Sequence, residues 1–161
     1  MQRNSTIFLQ AVTLLIGIGV LAAMLWEPHI EGRNVHATLF EIYFKDPFLA
    51  YVYIGSIPFF VALYQAFKVL GYAGQNTVFS PATVRALRTI KYGVLITAGA
   101  IVAADAFLMI AARSSGEDAA GAVMLGIVAT FILVVIAATA AVFERVLKKA
   151  VDIKPMMVFQ R

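Results

Sequence analysis

Apolar positions in this chain come in four long blocks, without the short amphipathic period that marks a helix or strand of a soluble domain. A helix needs about 20 mostly apolar residues to cross a bilayer, and the four blocks that meet this length are residues 6–26, 48–70, 92–112 and 121–143. Polar segments separate the blocks at residues 27–46, 71–91 and 113–120. The pattern predicts an all-α integral membrane protein, a four-helix bundle that forms a single domain over residues 1–161.

Composition favours the same class of protein. Hydrophobic residues make up 61% of the chain and charged residues 14%, against about 45–50% and 25% in a soluble domain. The chain contains no Cys, which excludes disulfides, thiolate metal sites and thiol nucleophiles. The first apolar block is too long for the apolar region of a signal peptide, and residues 25–28 offer no small-residue cleavage site. We therefore expect it to remain as the first span.

Lys and Arg residues predict the orientation, because cytoplasmic loops of membrane proteins carry an excess of them. Ten of the 13 fall on one side of the bilayer: Arg3, Lys68, Arg85, Arg88, Lys91, Arg145, Lys148, Lys149, Lys154 and Arg161. The other side has Arg33, Lys45 and Arg113 together with most of the acidic residues. We predict cytoplasmic N- and C-termini. Since the charges flank apolar blocks and do not form one basic face, we expect no direct contact with nucleic acid.

The second loop carries the pattern of a short amphipathic helix that runs into the third span. Ser80 followed by Pro81 is typical of a helix start. Val84, Leu87 and Ile90 then recur at a spacing of three, and Arg85, Arg88 and Lys91 form a neighbouring basic stripe. The stripe has two interpretations: contact with anionic lipid headgroups, or docking of a cytoplasmic partner. In the first loop, the aromatic segment 39–48 is predicted to lie on the membrane surface.

Asp105 is the ionisable residue placed deepest within a predicted span, roughly 10 Å below the outer edge at 1.5 Å per residue. Ser56 in the second span reaches a similar depth, and Tyr53 lies slightly shallower. An intramembrane acid is a functional candidate because it is costly there. One hypothesis is a proton or cation pathway; the other is a structural carboxylic acid that hydrogen-bonds to a hydroxyl of the neighbouring helix.

Gln10, Gln65, Thr97 and Thr139 are predicted to share one depth near the inner edge. They form either a structural belt of hydrogen bonds between helices or a polar vestibule open to the cytoplasm. Pro58 predicts a kink in the second span.

Small residues at a spacing of four, Gly19 with Ala23 and Gly99 with Ala103, suit close helix packing within the bundle or in a homo-oligomer.

His29 and His36 lack the spacing and compact geometry of a metal site, so we interpret them as solvated loop residues. No phosphate-binding loop or nucleophile motif is present. We therefore expect neither an enzyme nor a bound cofactor or metal.

Two groups of motifs carry a family resemblance. The second span and second loop contribute Ile57–Phe60, Ala62–Leu70, Asn76, Val78–Ser80 and Ile90–Tyr92, and the chain end contributes Phe143, Leu147, Ala150 and Asp152–Lys154. These residues resemble the YoaS-like family, a domain-of-unknown-function family of four-span bacterial inner-membrane proteins. The resemblance implies a bacterial plasma membrane and a neighbouring gene for a small helix-turn-helix regulator, with no established activity. After Lys154 the chain is apolar where the family has an acidic tail.

Two functions follow as hypotheses. The first is a non-enzymatic module that binds a cytoplasmic partner, such as a transcription regulator, through the second loop and the tail. The second is a small oligomeric transporter or channel that uses Asp105.

Overall fold

The computed structural model describes residues 3–30 and 47–159, with side chains described for residues 3–26 and 47–153. This part of the chain forms four α-helices: α1 (Arg3–Ile30), α2 (Pro47–Gly74), α3 (Pro81–Ser115) and α4 (Ala120–Phe159). Each is long and apolar enough to cross a membrane. The all-α, four-span prediction is therefore confirmed. The segment 31–46, with His36 and most of the predicted aromatic surface segment, and the side chain of His29 lie outside the described residues.

Successive helices pack against each other in antiparallel pairs. Between α1 and α2, the Tyr53 hydroxyl donates to the Met24 carbonyl at 2.7 Å. Between α2 and α3, the Tyr51 hydroxyl donates to the Ala100 carbonyl at 2.8 Å, and the rings of Phe48 and Phe107 stack 5.7 Å apart. The beginning of α1, the end of α2, the beginning of α3 and the end of α4 consequently share one end of the bundle, which we call the basic end.

Glycine allows the closest approach between α2 and α3. A Cβ built on Gly93 would lie 2.7 Å from the Pro58 carbonyl oxygen and 3.1 Å from the Ala62 Cβ. Backbone-to-backbone contact of this kind is the usual means of packing helices in lipid, where apolar burial gives no preference. Gly19 and Gly99 differ, since a Cβ at either would meet nothing within 4 Å. These two glycines make no close helix contact within the described chain.

Helices α3 and α4 are longer than a bilayer requires. Their 35 and 40 residues correspond to about 52 and 60 Å, against a hydrocarbon core of about 30 Å. Four residues connect them at the opposite end, so the excess length lies at the basic end. We call these extensions, residues 81–91 of α3 and 144–153 of α4, the stalk.

The stalk has an apolar core of its own. Val84, Leu87 and Ile90 are buried in one cluster with Leu147, and Val151 packs against it. The predicted helix start is correct, because the Ser80 side chain accepts a hydrogen bond from the Thr83 backbone N–H and Pro81 follows in the first turn. The apolar residues of this segment, Val84, Leu87 and Ile90, face helix α4 of the same chain. They pack inside the chain because α4 continues past the membrane and offers a matching apolar face.

Candidate functional site

Glu144 is the centre of a three-residue ion cluster in the stalk. Arg88 Nε donates to Glu144 Oε1 at 2.8 Å, and Lys91 Nζ donates to Glu144 Oε2 at 2.7 Å. The Glu144 side chain is only 8% exposed, whereas those of Arg88 and Lys91 are 47% and 21% exposed. Each carboxylate oxygen thus has its own cationic donor, which is the arrangement that a buried carboxylate requires.

Helical spacing brings the three residues together. Glu144 lies four residues after Ala140 and three before Leu147, both of which are buried, so the core-facing side of α4 carries the carboxylate inward. Arg88 and Lys91 lie three residues apart on the side of α3 that faces α4. The Lys91 ammonium also lies 4.8 Å from the centre of the Tyr92 ring, an additional cation–π contact.

This cluster changes the interpretation of the basic stripe. Two of its three members, Arg88 and Lys91, are bound to Glu144, and Arg85 remains exposed. Sequence reasoning missed Glu144 because it stands directly after the fourth apolar block and resembles an ordinary end of a span. The spacing of Ala140, Glu144 and Leu147 by four and three residues places them on one face of a helix. This spacing could have indicated that Glu144 faces the protein interior.

The exposed face of the stalk is positively charged. Four basic side chains are exposed there and form no ion pair with any described residue; we call Arg85, Arg145, Lys148 and Lys149 the stalk cations. Asp152 is the exposed acidic residue among them. Because Glu144 is neutralised inside the stalk, the outer face keeps an excess of positive charge. Such a surface attracts acidic protein surfaces or anionic headgroups.

Asp105 lies on the side of α3 that faces α4, and it is half-buried. Its carboxyl group lies so close to Gly126 that a Cβ at this position would force the carboxyl group to shift. The predicted hydroxyl partners have other acceptors: Ser56 donates to the Tyr53 carbonyl at 2.7 Å, and Tyr53 donates to Met24. The structure therefore does not bring Asp105 together with Ser56 or Tyr53, although their predicted depths are similar.

The four polar residues near the inner edge do not form a belt in the described structure. Gln10 Nε2 donates across to the Phe67 carbonyl at 3.2 Å and links α1 to α2. Thr97 and Thr139 donate instead to carbonyls of their own helices, at 2.9 Å each. Gln65 is half-buried on α2 and has no hydrogen-bond partner among the described residues. The idea of a belt between helices holds for Gln10 alone.

All four helices contribute to an open cavity of about 360 Å³ within the bundle, bounded by residues such as Val20, Phe59 and Leu133. Three hydroxyl-bearing side chains line it, those of Tyr51, Ser56 and Thr97. Each of these hydroxyls donates to a backbone carbonyl. The cavity wall is therefore apolar, and it offers no free donor that could recognise a polar substrate.

Two comparisons with known proteins find a match to this chain. A family model described as "Protein of unknown function (DUF2975)" matches residues 34–155. The "Uncharacterized membrane protein YoaS" of Bacillus subtilis (strain 168) is 42% identical over 158 residues, which cover 96% of each chain. No solved structure matches this chain.

Proposed function

The chain belongs to the DUF2975 family of proteins of unknown function, and we propose that it is a non-enzymatic module of the bacterial plasma membrane that binds a cytoplasmic protein. The stalk is the binding element. We propose that its partner presents an acidic surface, for example a transcription regulator that carries one. The proposed orientation places both termini and the stalk in the cytoplasm, and it rests on the excess of Lys and Arg at the basic end.

The proposal rests on one observation: Glu144 is neutralised inside the stalk by its ion pairs with Arg88 and Lys91. Because Arg88 and Lys91 satisfy this carboxylate, they tie the two antiparallel helix ends of the stalk together, and the outer face keeps the stalk cations free. A rigid surface loses little conformational entropy on binding. Complementary charge then steers the encounter and favours acidic partners over basic ones.

The second candidate is a small oligomeric transporter or channel that uses Asp105. The observation in its favour is the half-buried carboxyl group against Gly126. Against it, the hydroxyls that line the cavity are bound to the backbone, and the Thr97 and Thr139 hydroxyls are turned to their own helices. No enzyme is proposed, since the described residues bring no nucleophile, base and orienting group together.

The test is in-cell cross-linking of the tagged protein followed by identification of the captured soluble protein. Three charges are removed in one variant, R145Q/K148Q/K149Q, and the control variant is Arg113→Gln at the opposite end of the bundle. We expect one soluble protein to be captured by the unmodified chain and by the control, and to be lost from the triple variant. Purified, it should bind the detergent-solubilised chain with an affinity that falls as salt rises.

Two results would overturn the proposal. One is capture that the triple variant leaves unchanged. The other is a captured protein whose affinity for the purified chain does not depend on salt, because a charge-complementary contact between exposed groups must be screened.

A further inference from the structure

Asp105 and Gly126 form an intramembrane contact that the proposed docking role does not use. The carboxyl group fills the space that a side chain at position 126 would take. No described residue donates a hydrogen bond to it. An unpaired carboxyl group at this depth is costly in an apolar environment. The Asp105 carboxyl group therefore needs a partner that the described residues do not supply.

The Thr130 hydroxyl is a second polar group in this region that lacks a hydrogen-bond partner among the described residues. Its oxygen is buried. The other described threonines that follow a full turn of helix donate to the carbonyl four residues earlier: Thr13, Thr89, Thr97 and Thr139. For Thr130 that carbonyl belongs to Gly126, the residue covered by Asp105, and the bond is not made.

Helix geometry directs the two groups toward each other. Thr130 follows Gly126 by four residues on α4, or about 6 Å along the helix axis, and lies nearer the basic end. Side chains in a helix lean toward its N-terminus. Thr130 therefore leans toward Gly126, and Asp105, on the antiparallel α3, leans toward the basic end. A carboxyl group and a buried hydroxyl converge on one place between α3 and α4.

We infer that Asp105 and Thr130, with Gly126 leaving the space, form a binding site for a small monovalent cation such as sodium. Oxygen ligands are those that hard cations prefer. One carboxylate balances one positive charge, whereas the sites of divalent ions use more oxygen ligands and commonly several carboxylates. Among the described residues no group of three acidic or imidazole side chains could hold a metal ion. A bound cation would give the Asp105 carboxyl group and the Thr130 hydroxyl oxygen a shared partner.

The test is thermal unfolding of the purified, detergent-solubilised chain in sodium chloride, with choline chloride replacing it at constant ionic strength. A ligand bound only by the folded state raises Tm with its concentration, so we expect the unmodified chain to melt higher in sodium. Asp105→Asn should lose this rise. Thr130→Val should need at least about tenfold more sodium, since even groups that only orient a metal ligand change affinity by that factor.

Thr139→Val is the matched control: the same change on the same helix, at a hydroxyl already bonded to Val135. It should keep the full response to sodium. Equilibrium binding of radioactive sodium to the unmodified chain adds a measurement that needs no variant, and a single saturable site is expected. The inference is overturned if Tm is equal in sodium and choline, if no saturable sodium binding is found, or if Thr130→Val and Thr139→Val respond alike. None of these results affects the proposed docking role.

Discussion

In the Glu144 cluster, removing the two cations should destabilise the chain more than removing the carboxylate. Removing the two cations, in R88Q/K91Q, leaves a carboxylate that is 8% exposed without a charged partner, whereas removing the carboxylate leaves cations that are 47% and 21% exposed. A stranded buried charge costs about 3–5 kcal/mol. Partly exposed cations recover water instead. We therefore expect R88Q/K91Q to destabilise the chain by about 3–5 kcal/mol.

Glu144→Gln should cost less, about 1.5–3 kcal/mol, which is the range for losing hydrogen bonds to a charged group. Glutamine keeps the shape of the side chain and one acceptor oxygen. The combined variant R88Q/K91Q/E144Q leaves no buried charge, so it should be more stable than R88Q/K91Q although it carries one more substitution. Such non-additivity is the signature of residues in contact.

The assay is equilibrium unfolding of the purified chain in mixed micelles, followed by helical circular dichroism. Arg145→Gln serves as a control at an exposed cation of the same helix, where a change within about 0.5 kcal/mol is expected. The reasoning is refuted if Glu144→Gln is more damaging than R88Q/K91Q, or if the combined variant is as unstable as the sum of its parts.

Three further predictions concern the helix start, the helix packing and the orientation. Ser80→Ala should lower the free energy of unfolding by about 1 kcal/mol, because the side chain caps α3; no change would contradict the cap. Gly93→Ala should destabilise by about 1–3 kcal/mol through overlap with a backbone carbonyl, while Gly99→Ala, with open space around it, should not lower Tm. Because the chain lacks Cys, single cysteines are specific probes: Lys149→Cys should react with a membrane-impermeant maleimide only in inside-out vesicles and Glu117→Cys only in intact cells, and the reverse pattern would contradict the orientation.

The membrane helices could be predicted from the sequence because hydropathy depends on composition alone, without knowledge of any partner. The third block, residues 92–112, lies within α3, which begins eleven residues earlier at Pro81. The capping signal at Ser80 located that start correctly. Hydropathy marks the part of a helix in lipid, whereas helix bounds depend on capping and breaking residues.

The contacts between helices could not be predicted in the same way. Counting residues along a span gives the depth of Asp105 and Ser56, but not the direction in which each faces around its helix axis. In the structure Asp105 faces α4, while the Ser56 hydroxyl bonds within α2. The Glu144 cluster was missed for a related reason: its members lie 53 and 56 residues apart, and charges at the end of an apolar block are expected there in any case.

The two polar contacts between α3 and α4 lie far apart along that interface: the Glu144 cluster is in the stalk, and the contact of Asp105 with Gly126 is inside the membrane-spanning part. On α4, eighteen residues separate Gly126 from Glu144, about 27 Å; on α3, fourteen separate Lys91 from Asp105, about 21 Å. Apolar side chains in lipid specify register weakly, because a displaced helix remains apolar against its neighbours and the lipid. A slip of one turn, about 5.4 Å, would separate Glu144 from its cations and Asp105 from its glycine together. We infer that these contacts fix the register of α3 against α4, and through it the positions of the stalk cations relative to the membrane.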